Sequence, residues 1–234
     1  EEARATAERI RTAVKGAAAA GTSRYFSVKP TQLGLGVSTE LAFELANSLA
    51  TTLFEVGGDL CLDIENLPYL DRTLDLYERL RRAGHHHVST VLQSYLHRTP
   101  EDLARIIALA NEIDQGPTEI RIVKGAYREA PEVAFQQRAQ IEEAYRQLAY
   151  RALEAGLKLN IATHDEALLR ELLAYTRGAR ASHGKYEVQM LYGVRNGLQE
   201  QLVAAGHPMR VYVPFGDDWY GYYSRRLAGR PSNL

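Results

Sequence analysis

Residues 157–166 read Leu157-Lys158-Leu159-Asn160-Ile161-Ala162-Thr163-His164-Asp165-Glu166, and this stretch decides the fold. Leu157 to Ala162 is a short apolar run of strand length, Thr163-His164-Asp165 is polar, and a helical spacing of leucines begins near Glu166. A strand that ends in polar groups and passes directly into a helix is one unit of a parallel α/β sheet.

The unit recurs on both sides. Toward the N-terminus, a helical segment from Glu1 to about Ala18 is ended by Gly21 and followed by the strand Tyr25–Lys29. A helix from about Ser38 to Phe54, the strand Leu60–Glu65, a helix from about Tyr69 to Ala83 and the strand Val88–Gln93 come next. Helices starting near Pro100 and Pro131 flank the strand Ile120–Lys124. Toward the C-terminus lie the strand Tyr186–Leu191, a helix starting near Asn196 and the strand Arg210–Val213, which makes seven strands. Polar residues stand at the C-terminal end of nearly every one: Lys29, Asp63 with Glu65, Gln93, Lys124, Thr163-His164-Asp165 and Gln189. A barrel active site is built from several strand ends in this way, whereas an open sheet gathers its polar groups at one crevice. The expected fold is therefore an α/β barrel of the (β/α)8 TIM type, one domain over residues 1–234, with the first strand of the eight upstream of Glu1.

Composition narrows the function. A length of 234 residues with 45% hydrophobic content suits one sizeable core. Net charge of -1 gives no global attraction for nucleic acid or anionic lipid. The single cysteine, Cys61, cannot form an internal disulfide and suits a reducing compartment. No apolar stretch reaches the roughly 18 residues of a membrane span and no charged-then-apolar leader opens the chain, so a cytoplasmic or membrane-peripheral protein is expected.

Several strand-end groups bear on chemistry. Asp63 and Glu65, two apart on a strand, share a face. They could bind a metal, act as an acid/base couple, hold polar cofactor groups, or pair with a neighbouring base. Arg121-Ile122-Val123-Lys124-Gly125-Ala126-Tyr127 ends a strand and turns through glycine, so charge and backbone N–H groups together suit an anionic or electron-rich ring. Lys29 and Lys124 also fit the Schiff-base lysine of an aldolase, and the residues alone leave both readings open. Gly84-His85-His86-His87 precedes a strand, opposite the polar ends, and reads as a solvated loop rather than a metal site. His164 lies among the strand-end groups, as a site residue or a packed histidine. The aromatic tail with Trp219, Tyr220, Tyr222 and Tyr223 is followed by Arg225-Arg226, which suit a bidentate grip on a carboxylate or a solvated helix face.

Taken in order, SVKPTQLGL, LDIEN, VLQSYLHRT, RIVKGAY, IATHDE, YEVQMLYGVR and RVYVPFG with the Arg225-Arg226 segment resemble the proline dehydrogenase family from Tyr25 to Asn233. The resemblance implies a distorted (β/α)8 barrel with FAD at the strand C-termini, oxidising L-proline to Δ1-pyrroline-5-carboxylate by hydride transfer to flavin N5 and passing electrons to a quinone. It implies Asp63 and Arg121 at the reacting centre, with Arg121 near N5. It implies FAD contacts from Ile64, Gln93, Arg121, Val123, Lys124, Gly125, Ala126, Thr163, His164 and Glu187. Lys29, Arg225 and Arg226 would hold the substrate carboxylate, while Tyr127, Leu191 and Tyr212 shape the pocket. Quinone use implies at least transient contact with a membrane surface. The chain departs from the family at Gly229, where glutamate is usual, at Asp217, where a basic residue is common, and in lacking the Leu-Gly-Glu motif of the first family strand. The competing expectations are a Schiff-base aldolase and a flavin-binding barrel without activity.

Overall fold

A computed structural model of the chain describes residues 1–113, 116–177 and 185–216. The described elements run α1 (Glu2–Ala19), β1 (Tyr25–Val28), α2 (Thr39–Glu55), β2 (Asp59–Leu62), α3 (Leu67–Arg82), β3 (Val88–Gln93), α4 (Thr99–Ile113), β4 (Glu119–Val123), α5 (Arg138–Glu154), β5 (Lys158–Ala162), α6 (Glu166–Thr176), β6 (Tyr186–Leu191), α7 (Asn196–Ala204) and β7 (Met209–Tyr212). A one-turn 3-10 helix at Pro30–Leu33 follows β1.

The strands form one parallel sheet in chain order, β1 to β7. Its register brings Arg121 beside Asn160, Asn160 beside Glu187, and Gln189 beside Arg210. The sheet curls until its outer strands meet. Arg210 of β7 donates to Ser23 Oγ at 3.0 Å and lies 4.4 Å over the Tyr25 ring, and Phe215 meets the Phe26 ring edge-on at 6.5 Å. Side chains, not a backbone ladder, close this seam among the described residues.

Alternation along each strand explains the layering. Leu60 and Leu62, Ile120 and Ile122, Leu159 and Ile161, and Val188 are all 0% exposed, packed outward under the helices. Each such side chain contributes about 1.5–3 kcal/mol by leaving water. The residues between them, Cys61, Arg121, Asn160, Glu187 and Gln189, face the barrel interior, which is polar. Side-chain caps start two of the helices: Ser38 accepts from Leu41 N, and Asp165 accepts from Leu168 N.

Two expectations need correction. The helix expected near Pro131 begins at Arg138. Residues 131–134 instead turn and form an antiparallel bridge from Ala134 to Leu96, with Phe135 N donating to Tyr95 O at 2.7 Å, so Pro131 opens a turn rather than a helix. The histidine run lies at the N-terminal end of β3, as expected, but it is not a fully solvated loop. His85 Nε2 meets Asn47 Oδ1 and His87 Nε2 meets Ala50 O, both at 2.8 Å, which docks two rings on α2.

Candidate active site

Arg121, third residue of β4, points inward and is 6% exposed. Each guanidinium nitrogen donates to a different strand neighbourhood: Nε to Gln189 Oε1 at 2.7 Å, Nη1 to Asp63 Oδ1 at 2.8 Å and Nη2 to Ser27 Oγ at 2.8 Å. The Tyr25 and Tyr212 rings lie 5.9 and 5.8 Å away, within cation–π range. Burial is the largest influence and opposes the charge, but Cys61, Asp63, Tyr25 and Tyr212 together hold the group above its ordinary pKa. The barrel thus encloses a permanent, directed cation.

Asp63 follows β2, and its N–H donates to Val28 O at 2.8 Å. Burial pushes its carboxyl above the usual range, against the pull of Arg121 and Lys29. Glu65 does not share Asp63's partners, contrary to the picture of two carboxylates working together on one strand face. The strand ends at Leu62, and Glu65 accepts from Thr31 N at 3.0 Å and Thr31 Oγ1 at 2.7 Å, pinning the 3-10 helix beneath Lys29. Gln93 Nε2 donates to Glu65 O at 3.0 Å, and Ile64 between the acids is buried. Lys29 occupies the N-cap of that 3-10 helix in extended conformation.

The turn after β4 requires its glycine. Gly125 has φ +116, and a Cβ there would lie 2.2 Å from the Tyr95 ring. Val123 is partly buried, Gly125 and Ala126 are exposed, and Tyr127 is 37% exposed. Lys124 departs from the Schiff-base reading, because its Nζ sits 2.7 Å from Glu142 and 2.8 Å from Asp165. An ammonium engaged by two carboxylates is not presented as a free nucleophile. Arg138 reaches the same two acids at 2.5 and 2.7 Å, so this cluster ties β4 to α5 and α6.

At the end of β5, Thr163 is buried and its Oγ1 accepts from Asp165 N at 3.2 Å. His164 Nε2 accepts from Leu191 N at 3.0 Å, which places the neutral ring's proton on Nδ1. His164 and Leu191 are thereby joined, and Tyr192 N donates to Tyr212 O next to them. Glu187 lies lower on the inner face of β6. Its carboxylate receives Arg210 Nε at 2.7 Å and Nη2 at 3.0 Å, and Gln189 Nε2 at 2.9 Å. Arg225, Arg226, Gly229, Asp217 and the aromatics from Trp219 to Tyr223 lie outside the described residues.

The sequence put Lys29, Asp63 and Arg121 at or near strand ends and the family resemblance added Leu191 and Tyr212, but neither pointed to Ser27, Tyr25 or a role for Gln189. The signal was available: Ser27 and Tyr25 stand two and four residues before Lys29, and Gln189 stands two before Leu191, so period-two alternation puts them on the same faces. Chemically, the strand ends gather a fixed cation, amide and hydroxyl donors, a glycine turn and aromatic walls.

Comparison with known proteins agrees with this architecture. The family model described as proline dehydrogenase matches residues 1–229. The proline dehydrogenase of Deinococcus radiodurans is 39% identical over 224 residues, 94% of this chain and 70% of that protein. Proline dehydrogenase 2 of Bacillus subtilis strain 168 is 38% identical over 214 residues, 90% of this chain and 67% of that protein. Among solved structures, proline utilization A from Bdellovibrio bacteriovorus, inactivated by N-propargylglycine, superposes with a TM-score of 0.85 at 22% identity over 97% of this chain. A Bradyrhizobium japonicum proline utilization A variant gives 0.87 at 21% identity over 99% of this chain. The chain spans only 28% and 27% of those two longer proteins, which share its barrel fold. With the family's model matched from Glu1 to Gly229 and its strand-end segments set around one barrel mouth, this chain belongs to the proline dehydrogenase family.

Proposed function

We propose that the chain, acting as one domain over residues 1–234, oxidises L-proline to Δ1-pyrroline-5-carboxylate, with FAD held noncovalently at the strand C-termini and a quinone as electron acceptor. The observation that supports this most is the buried Arg121 guanidinium, fixed by three side chains at the strand ends of a chain in this family. FAD, when bound, supplies a hydride acceptor whose ring gains negative charge, and a fixed cation beside such a ring favours that change.

The donor set suits the cofactor. Gln93, Thr163, His164 and the backbone from Val123 through Ala126 offer amide, hydroxyl and ring N–H groups near the glycine turn, with Ile64 alongside. Glu187 contributes through Gln189, and Lys124 holds the turn through Glu142 and Asp165. For the substrate, Lys29, Arg225 and Arg226 bind the carboxylate, and Tyr127, Leu191 and Tyr212 enclose the pyrrolidine ring. Lys29 and Arg121 place positive charge near the substrate amine, which favours its neutral form and leaves the nitrogen lone pair available. Among the described residues no helix is long and apolar enough to cross a membrane; a quinone acceptor implies at least transient contact with a membrane surface.

The visible spectrum of the purified protein, recorded before and after anaerobic addition of L-proline, tests this reading. Flavin bands that proline bleaches are expected. Absence of the bands would overturn the cofactor assignment, and bands that proline leaves unchanged would leave a flavin-binding barrel without the activity.

A further inference from the structure

We infer that Gln189 is a positioning residue for the reaction: its amide sets the direction of the Arg121 guanidinium. The inference rests on the reading that the Arg121 charge acts on bound flavin.

The amide has a determined orientation. Gln189 Nε2 donates to Glu187 Oε1 at 2.9 Å, so Oε1 faces Arg121 Nε at 2.7 Å. Turning the amide over would set an NH2 group against the arginine N–H and a carbonyl against a carboxylate. Glu187 cannot follow such a turn, because Arg210 grips both its oxygens at 2.7 and 3.0 Å. Donor and acceptor therefore alternate without a break from Arg210 through Glu187 and Gln189 to Arg121. Gln189 is 5% exposed and Arg121 6%, so water competes little at this contact.

Asp63 and Ser27 hold Nη1 and Nη2. The contact at Nε does something these two do not. A guanidinium is planar, and contacts at Nη1 and Nη2 hold only two points of it, so the plane can still tilt about the line through them unless Nε, which lies off that line, is held as well. Gln189 fixes it. Without the amide, the charge remains in the barrel but its plane is free to tilt between its two remaining partners.

The test uses the flavin-loaded protein with three variants: Gln189→Met, Arg121→Met and the double variant Gln189→Met with Arg121→Met. Gln189→Met should lower kcat for proline by about 10²-fold, the scale of a misplaced catalytic group. The Michaelis constant for proline should stay within about twofold, and the flavin midpoint potential should fall, because the cation is less well aimed at the reduced ring. In the Arg121→Met background, Gln189→Met should change neither kcat nor potential further, the mark of an effect transmitted through Arg121. Additive effects in the double variant or an unmoved potential in Gln189→Met would each overturn the inference. Unchanged turnover in Arg121→Met alone would instead overturn the functional reading beneath it. If Gln189→Met does not fold, Gln189→Asn, which withdraws the carbonyl by one methylene, takes its place, with the same outcomes required.

Discussion

The Arg121 guanidinium donates to Asp63 Oδ1 at 2.8 Å, joining β4 to the residue that follows β2 across the barrel interior. The side chains are 7% and 19% exposed, so the pair is close to dry. Removing one partner of such a pair leaves the other charge uncompensated, at about 3–5 kcal/mol. Asp63→Ala should therefore lose both proline oxidation and a measurable part of its stability, and Asp63→Asn should lose less stability by retaining an acceptor for Nη1. Paired urea unfolding and anaerobic proline reduction check this. Equal stability of parent and Asp63→Ala would mean the pair is not the structural tie described.

Arg121→Lys separates charge from geometry. Lysine keeps the positive charge but cannot reach Gln189, Asp63 and Ser27 in one plane. Turnover should fall by about 10²-fold or more, the scale of losing one preorganised donor, while flavin content holds. Stopped-flow flavin reduction by proline gives the answer. A lysine variant with parental rates would show that charge alone suffices.

The sequence made the strands legible because their outward residues are consistently apolar and their ends are polar. Val88–Gln93 and Tyr186–Leu191 were legible to the residue. The polar interior was not. Asn160 between Leu159 and Ile161, and Glu187 and Gln189 around Val188, read equally well as the wet face of a half-exposed strand. Only closure of the sheet turns that face inward. Lys124 was ambiguous for a related reason: its partners Glu142 and Asp165 come from elements 18 and 41 residues away. Pro131 misled because proline opens turns as readily as helices.

The Lys124 cluster should govern acid stability. Burial works against the Asp165 charge, but Lys124 and Leu168 N–H hold its carboxyl well below the ordinary range. A carboxyl depressed on folding contributes stability above its unfolded pKa of about 3.9 and loses it as pH falls below that value toward the folded one. Lys124→Met should move the acid-unfolding midpoint, followed by circular dichroism, to higher pH. The parent should also yield no adduct with borohydride and carbonyl compounds at Lys124 or Lys29.

The histidines docked on α2 should act at milder pH. Burial lowers the pKa of both His85 and His87 in the folded chain. Their contribution is complete above the unfolded value of about 6.5 and declines as pH falls from there through the folded values. The thermal midpoint should drop between pH 7.5 and 5.5 by about 2–4 °C for each kcal/mol lost. The double variant His85→Asn, His87→Gln should flatten this drop. An unchanged slope in the double variant would assign it to other groups.

For Arg225 and Arg226 the expectation comes from the family resemblance. Replacing either by lysine should weaken proline by about 1.5–3 kcal/mol, the value of a hydrogen bond to a charged group. L-prolinamide, which lacks the carboxylate charge, should show a smaller difference between parent and variants. Equal proline titrations of flavin reduction throughout would rule out the clamp.

Every described strand lies beside the one that follows it in the chain, so backbone pairing joins successive strands, whereas seam contacts such as Arg210 with Ser23 span 187 residues. During synthesis such a wall can be laid down stave by stave, each new strand finding its neighbour already standing, with the entropic penalty of long-range closure deferred to one final event. Until then the inner face is an open trough in contact with water. Arg121 follows Ser27 and Asp63 in the chain and precedes Gln189, so the set of its three anchors is complete only once β6 is in place. In the closed barrel the water around this cation is replaced by three hydrogen-bond acceptors rather than by apolar surface.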